Sequence, residues 1–263
     1  MSEPNILIIV EGAQKEKDLF EHLFKLYGIK GEIFVYGTNI YGLYGKMKSY
    51  DFNADIKDVL AEVHPEYSDL LSRDYAYTYL IFDCDAHHER KEETRNFEEI
   101  VKDNFETLGE MARYFDNETD PTIGKMYINY PMMESLRYCD SFFDERYKDK
   151  TVKLNGFHEF KSISGKTKLS GKHLDCIGKK EMGSLICQNV FKMNYLMMGN
   201  WAKPSYADYL SESCCDAIVN KQKAHAFSDG FVHVLNTSVF LVVDYFGNND
   251  SFYDNEIIGL QKK

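Results

Sequence analysis

The chain of 263 residues is short of the features that most readily announce an activity. It contains no Walker motif and no Gly-x-Gly-x-x-Gly, which excludes a P-loop ATPase and a dinucleotide-binding turn. Its six cysteines (Cys84, Cys139, Cys176, Cys187, Cys214 and Cys215) are scattered, with no Cys-x-x-Cys spacing. A zinc module is therefore not expected, and buried reduced thiols fit a cytoplasmic protein. No apolar run is long enough to cross a bilayer. The opening Asn5-Ile-Leu-Ile-Ile-Val10 lacks a basic lead and a small-residue cleavage site, so a signal peptide is not expected either. Internal repeats and low-complexity tracts are absent. Positive charge is also scarce, and the net charge of −11 argues against a general nucleic-acid coat protein.

A hydrophobic share of 44% and an aromatic share of 14% are ample for a packed core. The most informative stretch is Tyr77-Thr-Tyr-Leu-Ile-Phe-Asp83-Cys-Asp85-Ala-His87-His88. Its apolar run reads as a strand buried on both faces, as in a parallel α/β sheet. The run stops at two carboxylates, placed where open α/β sheets carry their sites. Residues two apart in a strand point to one side, so Asp83 and Asp85 are expected to converge on one ion. Such hard oxygen ligands suit Mg²⁺ or Mn²⁺.

Asn5 to Val10 is a second buried strand and leads into Glu11-Gly12, then a helix from about Gln14 to Tyr27 stopped by Gly28. Glu32 to Tyr36 reads as a strand. Gly37 to Tyr50 reads as an irregular loop near the site, because of its three glycines and clustered tyrosines. A helix over about Ala54 to Val63 follows, and a long one opening in Glu89 to Arg95 reaches about Phe115. Lys125 to Asn129 is a fourth strand, ending in Asn129-Tyr-Pro131-Met-Met-Glu134-Ser135. Beyond it Glu181 to Met198, Tyr206 to Lys223 and Val232 to Phe246 read as helices. The plan is an α/β domain over residues 1–148, then a basic connecting region and helical C-terminal part over 149–263. Residues 151–204 hold nine lysines against three acids, a local excess of positive charge where a polyanion can lie.

Glu11-Gly12 on a first strand, Asp83-x-Asp85 on a later one, and Asn129 with Glu134 closing the set resemble the Toprim domain. Topoisomerases, bacterial primases and nucleases of the OLD and RloB type carry it. The resemblance covers roughly residues 5–140 and lies on the nuclease side, close to small Toprim effectors of antiphage defence. It implies a parallel sheet flanked by helices and a Mg²⁺-dependent (or Mn²⁺-dependent) endonuclease acting on DNA, tRNA or other RNA. No topoisomerase tyrosine domain and no primase zinc module accompany it. The missing Walker motif means that any ATPase, of the ABC type in this family, is a separate partner polypeptide.

On this reading Glu11, Asp83, Asp85 and Glu134 are the catalytic set, and Glu11, Asp83 and Asp85 hold the metal. Glu11 is the general acid/base, its pKa raised by neighbouring carboxylates. Lys166, Lys168, Lys172, His173 and Arg137 are candidate contacts to the nucleic-acid backbone. His87, His88 and Asn129 are secondary candidates, the histidines equally serving as a surface or capping pair. Leu235, Val239, Val242, Val243 and Phe246 form one helical face, either a homodimer interface or the closure of the chain's own core. Two rival readings are a HAD-type phosphatase and a non-catalytic Toprim-like binding module. The first is disfavoured by His87 at the usual Thr/Val position and by Glu11-Gly12 on the first strand.

Overall fold

Four apolar runs in this chain can hydrogen-bond side by side only if helices cover both of their faces, and the architecture follows from that need. The structure, a computed structural model, describes residues 5–89, 94–117, 120, 122–246 and 253. Strands β1 (Asn5–Val10), β2 (Lys30–Val35), β3 (Tyr77–Asp83), β4 (Asp116–Asn117) and β5 (Gly124–Asn129) form a sheet in the order β2-β1-β3-β5-β4. All neighbours are parallel except the short β4, which runs antiparallel at the edge. Ile6 through Val10 are fully buried, and so is most of β3. The register aligns Val10 with Ile81 and Asp83 with Asn129. Glu11, Asp83 and Asn129 therefore leave the sheet at one carboxyl edge.

Helix α1 (Lys15–Tyr27) buries Leu19, Phe20, Leu23 and Tyr27, and stops at Gly28 in the left-handed region with φ 72°. The stretch read as an irregular loop is instead helical. Asn39 caps α2 (Ile40–Ser49) by accepting from the Gly42 N–H at 3.1 Å, and Ile40, Tyr41, Leu43 and Met47 are buried at helical spacing. A cap and an apolar stripe outweigh the roughly 1 kcal/mol that each interior glycine costs. Helices α3 (Ile56–Val63) and α4 (Ser68–Leu71) follow. Helix α5 (Phe97–Tyr114) opens later than expected, because Asn96 and Glu99 form a capping box. Residues 90–93, within the expected opening, lie outside the described residues.

The C-terminal part departs further from expectation. After single turns of 3₁₀ helix at Met133–Arg137 and Glu145–Asp149 come β6 (Thr151–Lys153), α6 (Phe157–Ser164) and α7 (Lys179–Met198). The helix expected from Tyr206 to Lys223 is two, α8 (Tyr206–Glu212) and α9 (Cys215–Ser228), separated at Cys214 with an extended ψ of 125°. The helix expected from Val232 to Phe246 is β7 (Phe231–His233), paired antiparallel with β6, and a short α10 (Phe240–Tyr245). Between them buried Asn236, Thr237 and Ser238 do not continue a helix, and several of their polar groups bond to groups distant in sequence. Asn236 N–H donates to Asn189 Oδ1 at 2.8 Å, and Thr237 Oγ1 to the Ile128 carbonyl at 2.8 Å. Leu235, Val239, Val242 and Val243 are buried in the chain's own core, with Phe246 packed against it. That face closes the core. Asp244 anchors α10 to the sheet through Lys125 at 2.8 Å and Tyr127 Oη, and to α8 through Tyr209 Oη. One hydrophobic cluster runs through both parts of the chain. No helix among the described residues is long and apolar enough to cross a membrane.

Candidate active site

The sheet's carboxyl edge opens into a cleft of about 570 Å³ lined by Glu11, Glu16, Asp83, Asp85 and Glu134. Glu11 follows directly from buried β1, and its Oε2 accepts from the Asp83 N–H at 3.3 Å. Gly12 next to it leaves room for the Glu16 side chain. A Cβ there would lie 2.5 Å from Glu16 Oε2, so the bare backbone lets the Glu16 carboxylate close over the turn.

Asp83 and Asp85 reach the cleft by different routes, and strand alternation does not apply to the pair. Strand β3 ends at Asp83, whereas Asp85 stands in the left-handed region with φ 36°. That conformation costs a non-glycine residue about 1–2 kcal/mol and persists only where neighbours impose it. They do so here. Cys84 N–H donates to the Asn129 carbonyl at 2.9 Å, and Tyr41 Oη to the Cys84 carbonyl at 2.7 Å. His88 N–H donates to the Asp85 carbonyl at 2.7 Å. Buried Asn104 on α5 donates to the carbonyls of Ala86 and His88, each at 2.9 Å.

Burial governs the electrostatics. It pushes the Glu11 carboxyl up to about 8, with the Asp85 charge as the next cause. Asp83, enclosed completely, is held well above the carboxylate range by burial and then by Glu11 and Asp85. Asp85 rises to about 6 through burial and the charge of Glu134. Glu16 is raised as well, again chiefly by burial. Apart from any cation, Glu11 therefore retains its proton at neutral pH, and Asp83 is biased the same way. Among the described residues no three His, Cys, Asp or Glu side chains are already gathered at metal-ligand spacing. The donor chemistry nonetheless fits a hard divalent cation: several desolvated carboxylates face one cleft, and a cation relieves both their repulsion and their burial.

The remaining expected residues divide clearly. Glu134, in the 3₁₀ turn, lines the cleft and pairs with Lys15 Nζ at 2.7 Å and Lys161 Nζ at 3.8 Å. Asn129 is fully buried and donates from Nδ2 to Asp83 Oδ1 at 3.3 Å, while its Oδ1 accepts from the Ser238 N–H at 3.2 Å. It positions Asp83. His87 faces the cleft with its ring edge-on to Phe157, and its buried Nδ1 has no hydrogen-bond partner among the described residues. Burial, then the neighbouring His158, lowers its pKa, so it is a neutral imidazole. His88 turns away and stacks flat on Tyr41, centroids 5.2 Å apart.

The basic candidates lie outside the carboxylate cleft. Arg137, Lys172 and His173 line an adjoining basin of about 630 Å³. Arg137 Nη1 donates to the Lys172 carbonyl at 2.6 Å, Lys172 Nζ pairs with Glu181 at 2.9 Å, and His173 faces Asp175 at 3.4 Å. Lys166 and Lys168 are exposed at and beyond the end of α6. Among the described residues the cations that enter the cleft are Lys15 and Lys161, joined by His158 from the same helix as Lys161. Lys15, Glu16, His158 and Lys161 are the functional candidates that sequence reasoning passed over. Lys15 and Glu16 follow Glu11-Gly12 within one helical turn, and Lys161 falls inside the basic segment. No family model, curated protein or solved structure matches the chain.

Proposed function

We propose that the chain is a Toprim-type nuclease that hydrolyses phosphodiester bonds in DNA or RNA with a divalent cation, Mg²⁺ or Mn²⁺. The observation that carries this reading is the convergence of Glu11, Asp83 and Asp85, all desolvated, at the carboxyl edge of a parallel sheet. Those three residues would hold the cation. When bound, it supplies charge neutralisation at the scissile phosphate and an acidified water.

The protein's own groups do the rest. Lys161 and Lys15 stand at the cleft rim with side chains 68% and 56% exposed, able to bind phosphate oxygens. Without the cation burial keeps the Glu11 carboxyl protonated to about pH 8, so taking up the cation would release that proton and leave Glu11 an ionised ligand and base. Asn129 fixes the Asp83 carboxylate, and the Asn104 and Tyr41 bonds keep the 83–88 loop from moving as charge develops. Phe157 and Met132 form the apolar wall that limits water. Within this reading the chain is a toxic effector of antiphage defence, held in check by a separate ABC-type ATPase.

Purified protein is incubated with plasmid DNA and with structured RNA in Mg²⁺, in Mn²⁺ and in EDTA. Cleavage is expected only with the cation. It is expected to fall by roughly 10²-fold or more in Glu11→Gln, and to vanish in Asp83→Asn and Asp85→Asn. Cutting that survives EDTA, or that proceeds at the wild-type rate in the aspartate variants, removes the reading. Co-expression with the neighbouring genes tests control: toxicity should require Glu11 and change with the partner.

A further inference from the structure

The carboxylate cleft continues past Glu134. Lys15, Glu134 and Lys161 line both it and a narrow cavity of about 160 Å³, and Arg137 and Ser170 carry that cavity on into the outer basin. The narrow part is a neck between the two larger spaces. Leu19, Met133, Leu136 and Leu174 give it an apolar lining, and among the described residues its charged groups are Lys15, Lys161 and Arg137 against Glu134. Three cations from three elements thus face one carboxylate, leaving two positive charges in excess. Glu134 Oε1 sits 2.7 Å from Lys15 and 3.8 Å from Lys161, spanning the gap between α1 and α6. Both lysine side chains are more than half exposed while Glu134 is only 16% exposed. Ion pairs with such solvated partners contribute little, about 0–1 kcal/mol, and exchange readily for another anion.

We propose that the neck is a phosphate subsite beside the scissile position, that it takes a phosphate group of a single-stranded nucleic acid, and that Glu134 is an internal stand-in which this phosphate displaces. The proposal rests on the phosphodiester reading above and names the form of its substrate. At about 160 Å³ the neck has room for one phosphate with part of its sugar. A duplex cannot enter such a space. The excess charge selects for phosphate over a carboxylate, and the apolar lining suits sugar and base edges. In the free protein Glu134 keeps Lys15 and Lys161 drawn together. A bound strand takes over both ammonium groups and frees the carboxylate. An internal diester and a terminal monoester share this chemistry.

Binding is measured by fluorescence anisotropy in EDTA, where no cutting occurs, with 3′-labelled DNA and RNA strands of about 12 nucleotides. Each strand is used with and without a 5′-phosphate and as a blunt duplex. The single strand should bind at least ~10-fold more tightly than the duplex. Lys161→Ala should weaken it by roughly 5- to 10-fold and reduce the salt slope by about one. Glu134→Gln, nearly identical in shape, should strengthen it several-fold. Unchanged or weaker binding by Glu134→Gln, no effect of Lys161→Ala, or a preference for duplex overturns the proposal. Equal binding of both strand forms assigns the subsite to an internal diester, and tighter binding of the phosphorylated form to a terminal monoester; either supports it. The expected binding pattern with no cleavage in any metal retires the nuclease reading and keeps the subsite. Metal-dependent cleavage with unchanged Glu134→Gln binding does the reverse.

Discussion

Glu11 carries the sharpest consequence for a single residue. Its carboxyl sits at about 8 against an ordinary 4.5, so the folded chain holds a proton that the unfolded chain releases. The sign follows from linkage. The contribution to stability is complete below the unfolded value and is lost as pH rises through the folded one, at about 1.4 kcal/mol per unit. Asp83 acts in the same direction. In EDTA the melting temperature should therefore fall between about pH 5 and about pH 8, and Glu11→Gln should flatten the slope. Added Mg²⁺ should raise the melting temperature most at the alkaline end, where the carboxylates are ionised. An equally steep slope in Glu11→Gln contradicts the assignment. Glu11, Asp83 and Asp85 were legible in the sequence because each follows an apolar run whose end is abrupt. Glu16, Lys15 and Lys161 were not, since they stand on amphipathic helices among many other charged residues. Only the packing of α1 and α6 around the sheet edge brings them to the cleft.

Among the elements, α5 does more than cover the sheet. Its buried Asn104 ties down two carbonyls of the loop that holds Asp85 in a left-handed conformation. Asn104→Ala leaves those acceptors unpaired, at a cost of roughly 1–3 kcal/mol. It should also lower cleavage, and Asn104→Leu, which retains the volume but donates neither bond, should lower it as much if the hydrogen bonds are the cause. Equal loss in the two variants identifies the bonds as the cause, and wild-type cleavage in both shows that the loop needs no such anchor. The central strands were readable from unbroken apolar runs. Helix α2 was hidden by Gly42 and Gly45, whose local cost is outweighed by a tertiary stripe. Strand β7 was hidden because Phe231–His233 is too short for a period, and the polar Asn236-Thr237-Ser238 turn takes its partners from residues far away in sequence.

At the scale of the molecule, the two parts read from composition are bound by polar contacts as well as by a common core. Asp244, with a side chain only 1% exposed, pairs with Lys125 and accepts from two tyrosines. Asp244→Ala leaves the Lys125 ammonium in a nearly closed site, and breaking such a buried pair typically costs about 3–5 kcal/mol. At roughly 2–4 °C per kcal/mol for a chain of this size, thermal unfolding should drop by about 6 °C or more. A shift of under about 2 °C would show that the C-terminal part is held by apolar packing alone. Charge patterning revealed the basic segment but not how it is used: Lys172 and His173 face acids, while Lys161 turns to the carboxylate edge.

The bond from the Ser238 N–H to Asn129, which in turn fixes Asp83, spans 109 residues of sequence. During synthesis the sheet strands emerge first and this latch comes late. At ribosomal rates of about 5–20 residues per second, roughly 5–20 s separate Asn129 from the residue that locks it. Through that interval the nascent chain carries its carboxylates without the support that aims Asp83.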